Sequence, residues 1–464
     1  MAQEVVEAGP PPPPGRVKPV VIVGGGLSGL SAAVALASAS IPVIVLEQKP
    51  QPGGRAYSFR DAITGETIDN GQHVLIAGYK RTLNFLETIG TLEELSVQPN
   101  LELTYHHPRR GFHRVRFPKL PSPLHLVWGI IRYDLLSVLD RLRILHAGLL
   151  IPRAGSRREK TLADFTVEEW LDSCGQTLEC KNSFWEPLAV SIMNEHIAMA
   201  SALTFVRAIR EALLGNWHNA SLAIPRVGLS QLYVEGAQSH IIRNGGTVLC
   251  GADVTDVHFN GTAVTGMHTR DGRHFQCDST IITVPPARLP SLLPEVLRGR
   301  KEFAAMQSAP PSPIVSIHLW FEKEFMTEEF VGLISRRIQW VFNRRKISKE
   351  SGKGGHVSAV ISAAHSFVGL PNEELVQIAT DDLRSVYPSL TADPVHAVVI
   401  REKRATFSST PHVEHMRPPQ KTSVPNLFLA GDWTDTGYPA TIEGAVVSGE
   451  RAADSVRERM RRSR

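Results

Sequence analysis

Between Val17 and Gln48 the chain reads VKPVVIVGGGLSGLSAAVALASASIPVIVLEQ, and this stretch constrains the fold more than any other. The run Val20 to Val23 is apolar, β-branched and too short for a helix, so it predicts a buried strand. Gly24, Gly26 and Gly29 follow, then an Ala- and Leu-rich helical run to about Ala39 and a second apolar run, Val43 to Leu46, closed by Glu47. Strand, glycine turn, helix, strand and acid in that order form the fingerprint of a dinucleotide-binding βαβ unit. Gly24 permits the tight turn, Gly26 lets backbone approach a pyrophosphate, and Gly29 lets the helix pack closely on the sheet. The helix N-terminus, with Leu27 and Ser28 in its first turn, offers free N–H groups and a positive dipole end to phosphates. Glu47, with Gln48 beside it, is placed to accept from a ribose hydroxyl, and an acid there argues against a 2′-phosphate.

A length of 464 residues allows two or three domains, or one large domain with an insertion. Hydrophobic residues at 42% and charged residues at 21% are ordinary for a globular chain. The net charge of +4 gives no support to nucleic-acid binding. Cys174, Cys180, Cys250 and Cys277 are scattered without a CxxC pair, so no disulfide framework is expected and a reducing compartment fits. The histidines lack HExxH or comparable spacing, and no metal site is expected. The opening MAQEVVEAGPPPPPGR carries acids where a signal peptide needs lysine or arginine; it predicts a disordered tail over 1–16. No run of about eighteen apolar residues occurs, so no transmembrane helix is expected, and the location predicted is cytoplasmic or on a membrane face.

Further along, Gly53-Gly54-Arg55 and Gly71-Gln72-His73 put small residues and a cation just past the ribose acid, which suits backbone passing close to a phosphate or flat ring. Helical periodicity dominates from 75 to about 215. Within it, residues 120–152 are rich in Leu, Ile, Val and Trp but interrupted by Arg132, Asp134, Asp140, Arg141 and Arg143. They read as a pair of buried or half-buried helices, or as an interfacial surface or mouth for a greasy substrate beside Arg109, Arg110, Arg114 and Arg116. Strand patterns return from Gly245, and 312–321, 338–343 and 357–362 alternate as sheet strands over a pocket. Arg336, Arg337, Arg344 and Arg345 read most simply as a solvated rim. Near the end, a strand runs into Gly431-Asp432 and a helix opens at Thr441-Ile442-Glu443, repeating the anion-site logic of the beginning. The final RERMRRSR reads as a frayed basic tail, with 459–464 outside any domain.

The opening fingerprint, the Gly53-Gly54-Arg55 loop and the closing LAGDWTDTGYPATIEGAV together resemble the FAD-dependent amine oxidase and phytoene desaturase superfamily over residues 19 to about 455. Within it, WEPLAVSIMNE (185–195), SPIVSIHLWF, QWVFN, EKRAT (402–406) and GDWTDTGYPATIEGA are similar to the hydroxysqualene dehydroxylase family. The resemblance implies an α/β fold, with a Rossmann-like FAD-binding domain of the GR2 type and an interleaved α+β substrate domain. By that likeness, 17–75, 215–300 and 418–458 would form the FAD domain and 76–214 with 301–417 the substrate domain. It implies non-covalent FAD, since no cysteine stands near Asp432–Gly444. Gly24, Gly26 and Gly29 would hold its pyrophosphate and Glu47 its ribose. Gly53, Gly54 and Arg55 would lie along phosphates and flavin, with Gly71, Gln72 and His73 near the ring. Val254 would reach the adenine by its backbone, Gly431 and Asp432 would sit at the pyrophosphate and ribityl chain, and Thr441, Ile442 and Glu443 at the flavin edge.

The implied reaction is reductive removal of a hydroxyl from a long apolar isoprenoid, with peripheral membrane contact, no nucleic-acid partner, and an electron donor that the sequence does not identify. The runner-up is a carotenoid-type desaturase running oxidatively, followed by an amine oxidase, whose usual aromatic cage is put in doubt by Pro439-Ala440 after Tyr438. Glu186, Glu195, His73 and Asp435 are the candidate acids, each more simply read as a capping or structural hydrogen-bonding residue.

Overall fold

The computed structural model describes residues 18–350 and 352–462; the tail expected over 1–16 lies outside the described residues. The strand Val20–Val23 is fully paired on both edges in a five-stranded parallel sheet. Its order is Thr247–Leu249, Val43–Leu46, Val20–Val23, Ser279–Ile282, Leu427–Leu429, so three remote stretches of chain contribute strands. Alternate residues of the central strand feed two cores. Val20 and Ile22 pack with the glycine-loop helix Leu27–Ser38 and the closing helix Ile442–Arg462. Val21 and Val23 pack with an antiparallel three-stranded sheet (Val254–Phe259, Val264–Thr269, His274–Gln276) on the other face. Burial on both faces is why these strands read as continuous apolar runs.

The closing helix crosses the glycine-loop helix at near-backbone distance. A Cβ on Gly449 would stand 2.2 Å from the Ser28 carbonyl oxygen, and Ser31 Oγ donates to the Val446 carbonyl at 3.0 Å. Small residues here let the last helix lie across the first. That helix continues to Arg462, so residues 457–462 of the expected frayed tail are ordered instead; Arg459 and Arg462 pair with Asp278 and Glu458.

A second, seven-stranded sheet lies over the first body. Its order is His396–Phe407, Pro311–Phe321, Gly355–Ile361, Trp340–Asn343, Phe330–Leu333, Glu102–His107, Gly111–Arg116. The last two strands correct the expectation that 76–214 is essentially helical. This hairpin joins the sheet through a parallel pairing of Gly332 with Tyr105. Its charged residues face outward on an edge, which hides the strand pattern in the sequence. Helices fill most of the remainder of 76–214 and bury Trp170, Trp185 and Phe205 in one cluster. The chain mixes helices and sheets as the expected α/β class requires.

Residues 120–152 form two helices, Leu124–Ile131 and Val138–Leu149, separated by a turn. Neither is a buried core helix. Leu124, Trp128 and Ile131 are exposed at i, i+4, i+7 spacing, and Val138, Leu139, Leu142 and Leu149 are exposed on the second. Among the described residues no helix is long and apolar enough to cross a membrane.

The helix crossing yields a test. Gly449→Val would drive its side chain into the Ser28 carbonyl. Overpacking of this kind costs about 1–3 kcal/mol, so thermal denaturation is expected to show a lower melting temperature. An unchanged melting temperature would show that the two helices can separate freely.

Candidate active site

The site starts at an uncapped helix terminus. Gly26 precedes the helix Leu27–Ser38 in extended conformation with no side-chain cap and no acid in the first turn. The N–H groups of the first turn, Leu27, Ser28 and Gly29 among them, therefore face outward as donors. Gly24 has φ +108°, and a Cβ there would stand 2.6 Å from Thr283 Oγ1. A Cβ on Gly29 would stand 2.0 Å from the Gly24 carbonyl oxygen. Only glycine fits either position.

Across from this terminus the second glycine loop comes back to meet it. Gly53 forms a bridge with Gly26, donating from its N–H to the Gly25 carbonyl at 2.8 Å. Gly54, at φ +63°, would bring a Cβ to 3.0 Å from Gly26 Cα. Two bare backbones thus run side by side where a flat, charged chain could lie between side chains. Glu47 is buried at the end of its strand and accepts from Gly25 N–H at 2.7 Å and Lys49 N–H at 2.8 Å. A carboxylate has about four acceptor positions, so two remain for a ligand hydroxyl. Gln48 beside it is exposed. Val254 is brought close, because Ala252 N–H donates to the Glu47 carbonyl at 2.8 Å.

Arg55 ties the first loop to the last motif. It donates to Asp432 at 2.7 Å and to the Ala405 carbonyl at 2.7 Å, and its pKa is raised chiefly by the Asp432 charge. Its side chain nevertheless keeps 43% of its exposure against 7% for Asp432. A cation so firmly held yet so open borders an internal cleft. Gly431 N–H donates to Ser448 Oγ at 2.8 Å, and Thr441 Oγ1 accepts from Gly444 N–H at 3.1 Å, opening the closing helix. Glu443 is turned away from this opening. It accepts from Arg81 N–H, Thr82 N–H and Thr82 Oγ1 and so caps the helix Lys80–Ile89, leaving its own backbone at the terminus.

The loop Gly71–His73 is half-exposed and lies against the seven-stranded sheet. His73 Nδ1 lies 2.9 Å from the Gly71 carbonyl, which can only accept, so Nδ1 carries the proton and Nε2 is the free acceptor. Burial holds its pKa below the usual imidazole range. Gln72 Oε1 accepts from Arg344 at 2.6 Å. Arg344 and Arg345 are not the solvated rim that the sequence suggested. Arg344 is 4% exposed beside Asp69, and Arg345 pairs with Glu66 at 2.6 Å. Strand pairing carries them under the 66–73 loop, where burial is repaid by these acids. Burial pushes Glu66 up, but donors from His356, Arg345 and Trp320 outweigh it and hold the carboxyl at about 2.

The other three candidate acids stay away from this cleft or are already engaged. Asp435 is exposed, its Oδ1 accepting from Gly437 N–H at 3.3 Å. Glu186 binds His196 at 2.5 Å and Ile197 N–H at 3.0 Å. Glu195 is buried against Ser408 and His196 N–H, next to Asn194, whose amide donates to Thr406 Oγ1 at 3.0 Å. The blocks 185–195 and 402–406 therefore meet in space as a structural joint.

Two residues were missed from sequence. Arg417, 7% exposed, donates to the carbonyls of Asp432, Thr434 and Tyr438 and holds the whole 432–438 loop. Its place just before Pro418-Pro419 was the available signal. Glu402 lies within charge range of Arg55 and Lys49; burial raises its pKa against the pull of both cations and Asn70.

These residues fit FAD. The terminus and glycine pair suit a pyrophosphate, the Glu47 acceptors a ribose, and buried polar atoms lacking a partner among the described residues flank the cleft: Ser316 Oγ beside Gly71 and Trp433 Nε1 beside Gly431.

Comparison with known proteins agrees. Residues 27–457 match the family described as flavin-containing amine oxidoreductase. The chain is 30% identical over 443 residues to the hydroxysqualene dehydroxylase of Sinorhizobium fredii, covering 94% of this chain and 98% of the relative. It is 26% identical to the chloroplastic/chromoplastic 15-cis-phytoene desaturase of Glycine max, over 94% of this chain and 79% of that protein. Among solved structures, putrescine oxidase bound to putrescine superposes with a TM-score of 0.71 at 18% identity, covering 96% and 99% of the two chains. The chain belongs to the flavin-containing amine oxidoreductase family and is an FAD-dependent oxidoreductase.

Proposed function

We propose that this enzyme reduces hydroxysqualene to squalene, releasing the hydroxyl as water. The observation that carries the reading is the lining beyond His73. Val74, Leu103, Leu222, Ile314 and Trp340 are only partly buried, packed on a core of Ile224, Phe330, Phe342 and Val360. Trp340 has ring neighbours at 5.6 Å (Tyr105), 6.1 Å (Phe330) and 6.3 Å (Phe342). Such a wall accepts a long hydrocarbon and excludes water. Its ring faces also favour a cation, as forms when an allylic-type C–O bond ionises. The likeness to hydroxysqualene dehydroxylase over nearly the whole chain supports the same substrate.

FAD in its reduced state supplies the hydride. In our assignment Gly24, Gly26, Leu27, Ser28 and Gly29 hold its pyrophosphate, and Glu47 with Gln48 and the Val254 backbone its adenosine. Gly53, Gly54, Arg55, Gly431 and Asp432 follow the ribityl side, with Gly71, Gln72, His73 and the Thr441-Ile442-Glu443 backbone at the ring. The FAD-binding part then comprises 17–75, 215–300 and 418–458, and the substrate part 76–214 and 301–417. Glu402 protonates the departing hydroxyl: burial keeps a proton on this carboxyl at higher pH than usual. His73, held neutral, offers Nε2 as an acceptor that orients the hydroxyl before it leaves.

The exposed apolar stripes of Leu124–Ile131 and Val138–Leu149 dock on the inner face of the cytoplasmic membrane, where a C30 substrate is dissolved. Arg132 over Trp128 and the nearby Arg141 and Arg143 suit anionic headgroups.

Anaerobic protein reduced with dithionite is expected to reoxidise on addition of hydroxysqualene, with squalene recovered in the extract. Flavin that stays reduced, with phytoene desaturated by the oxidised enzyme, would replace this reading by the desaturase one. Glu402→Gln is expected to slow turnover about 100-fold or more at unchanged flavin content. In the wild type, turnover should fall as rising pH strips the Glu402 proton; a rate that Glu402→Gln leaves intact removes the residue from the mechanism. Liposomes containing phosphatidylglycerol should float with the wild type. Leu139→Glu with Leu142→Glu should weaken flotation at least tenfold, since each buried leucine contributes roughly 2 kcal/mol; equal flotation would place the contact elsewhere.

A further inference from the structure

The antiparallel sheet Val254–Phe259, Val264–Thr269, His274–Gln276 has one apolar face and one decorated face. Val257, Met267 and Phe275 pack inward on the core of the first body. Period-two alternation sends Asp256, His258, Gly266, His268, His274 and Gln276 to the opposite face. The register aligns them: His268 stands across from Asp256 on one side and from His274 on the other, while His258 stands across from Gly266.

Three imidazoles from three strands thereby converge. Their ring centroids are 4.3 Å (His258–His268), 4.8 Å (His268–His274) and 5.3 Å (His258–His274) apart. One ring nitrogen from each lies within 4.8 Å of the others. Gly266 is part of the arrangement. A Cβ at that position would stand 2.9 Å from His274 Nε2, so the missing side chain is what leaves room for the His274 ring to lean toward its neighbours. Asp256 Oδ2 lies 3.1 Å from His258 Nε2, where a carboxylate can orient a ligand imidazole or itself complete a coordination shell.

We propose that His258, His268 and His274 form a binding site for a divalent late transition-metal ion such as Zn²⁺ or Ni²⁺. All-imidazole sets select these ions over Mg²⁺ or Ca²⁺, which take oxygen ligands. Three nitrogens around a tetrahedral ion sit about 3.4 Å apart for bonds of about 2.0–2.1 Å. His268 and His274 are exposed and close that distance by side-chain rotation, leaving a fourth position for water or Asp256. Nothing in this arrangement contributes to the flavin chemistry. An ion bound across three strands of the native sheet acts as a staple, stabilising the folded state by mass action.

The test uses tag-free, FAD-loaded enzyme stripped with EDTA and dialysed, titrated calorimetrically with ZnCl₂ and NiCl₂. The wild type is expected to take up a single saturable equivalent and to melt at higher temperature with the metal present. His258→Gln/His268→Gln/His274→Gln, with its flavin spectrum intact, is expected to lose both effects. Binding isotherms that superimpose for wild type and the triple variant, or a wild type without saturable uptake, would overturn the proposal.

Discussion

One uncapped helix terminus governs the arrangement of the first body. The N–H groups at the start of Leu27–Ser38 have no side-chain cap, and a terminus left this way inside a protein needs an anion or water as partner. Everything around it keeps the space open. Gly24 and Gly29 let the turn close under the helix, Gly26 and Gly54 run side by side without Cβ atoms, and Gly449 lets the closing helix cross just behind. A side chain at Gly24, Gly29 or Gly449 would collide with the turn or the neighbouring helix, and one at Gly54 would press on the Gly26 backbone.

From that terminus, charge is distributed by pairing. Arg55 binds Asp432 across nearly the full length of the chain, and Arg417 gathers three carbonyls of the loop that carries Asp432. Under the 66–73 loop, Arg344 and Arg345 meet Asp69 and Glu66. Buried ions so paired fix geometry more than they add net stability. Backbone around the glycine loops is thereby fixed by ion pairs, while Trp340, Phe330, Phe342 and their aliphatic neighbours cluster on the seven-stranded sheet. Such a division suits a polar cofactor meeting a hydrocarbon.

Much of this was legible in the chain. The parallel strands announced themselves as apolar runs because both faces are buried, and the two glycine loops because bare backbone admits few substitutes. The hairpin Glu102–Arg116 was not legible, since its edge strand turns Phe112, Arg114 and Arg116 outward and Gly111, His113 and Val115 inward, and so lacks the apolar alternation that marks a strand. Glu186 and Glu195 read as candidate acids from sequence, yet both are spent on hydrogen bonds that close a joint between distant blocks.

By itself the sequence determined the local chemistry: a glycine-rich βαβ unit closed by an acid, and helices carrying apolar stripes, because these follow from residue type and period. Only the tertiary structure decided which side chains share a space. It buried Arg344 and Arg345, turned Glu443 to cap another helix, set Glu402 beside Arg55, and brought three histidines together from separate strands. Such meetings depend on strand register and helix crossing over hundreds of residues, and linear spacing carries no record of them.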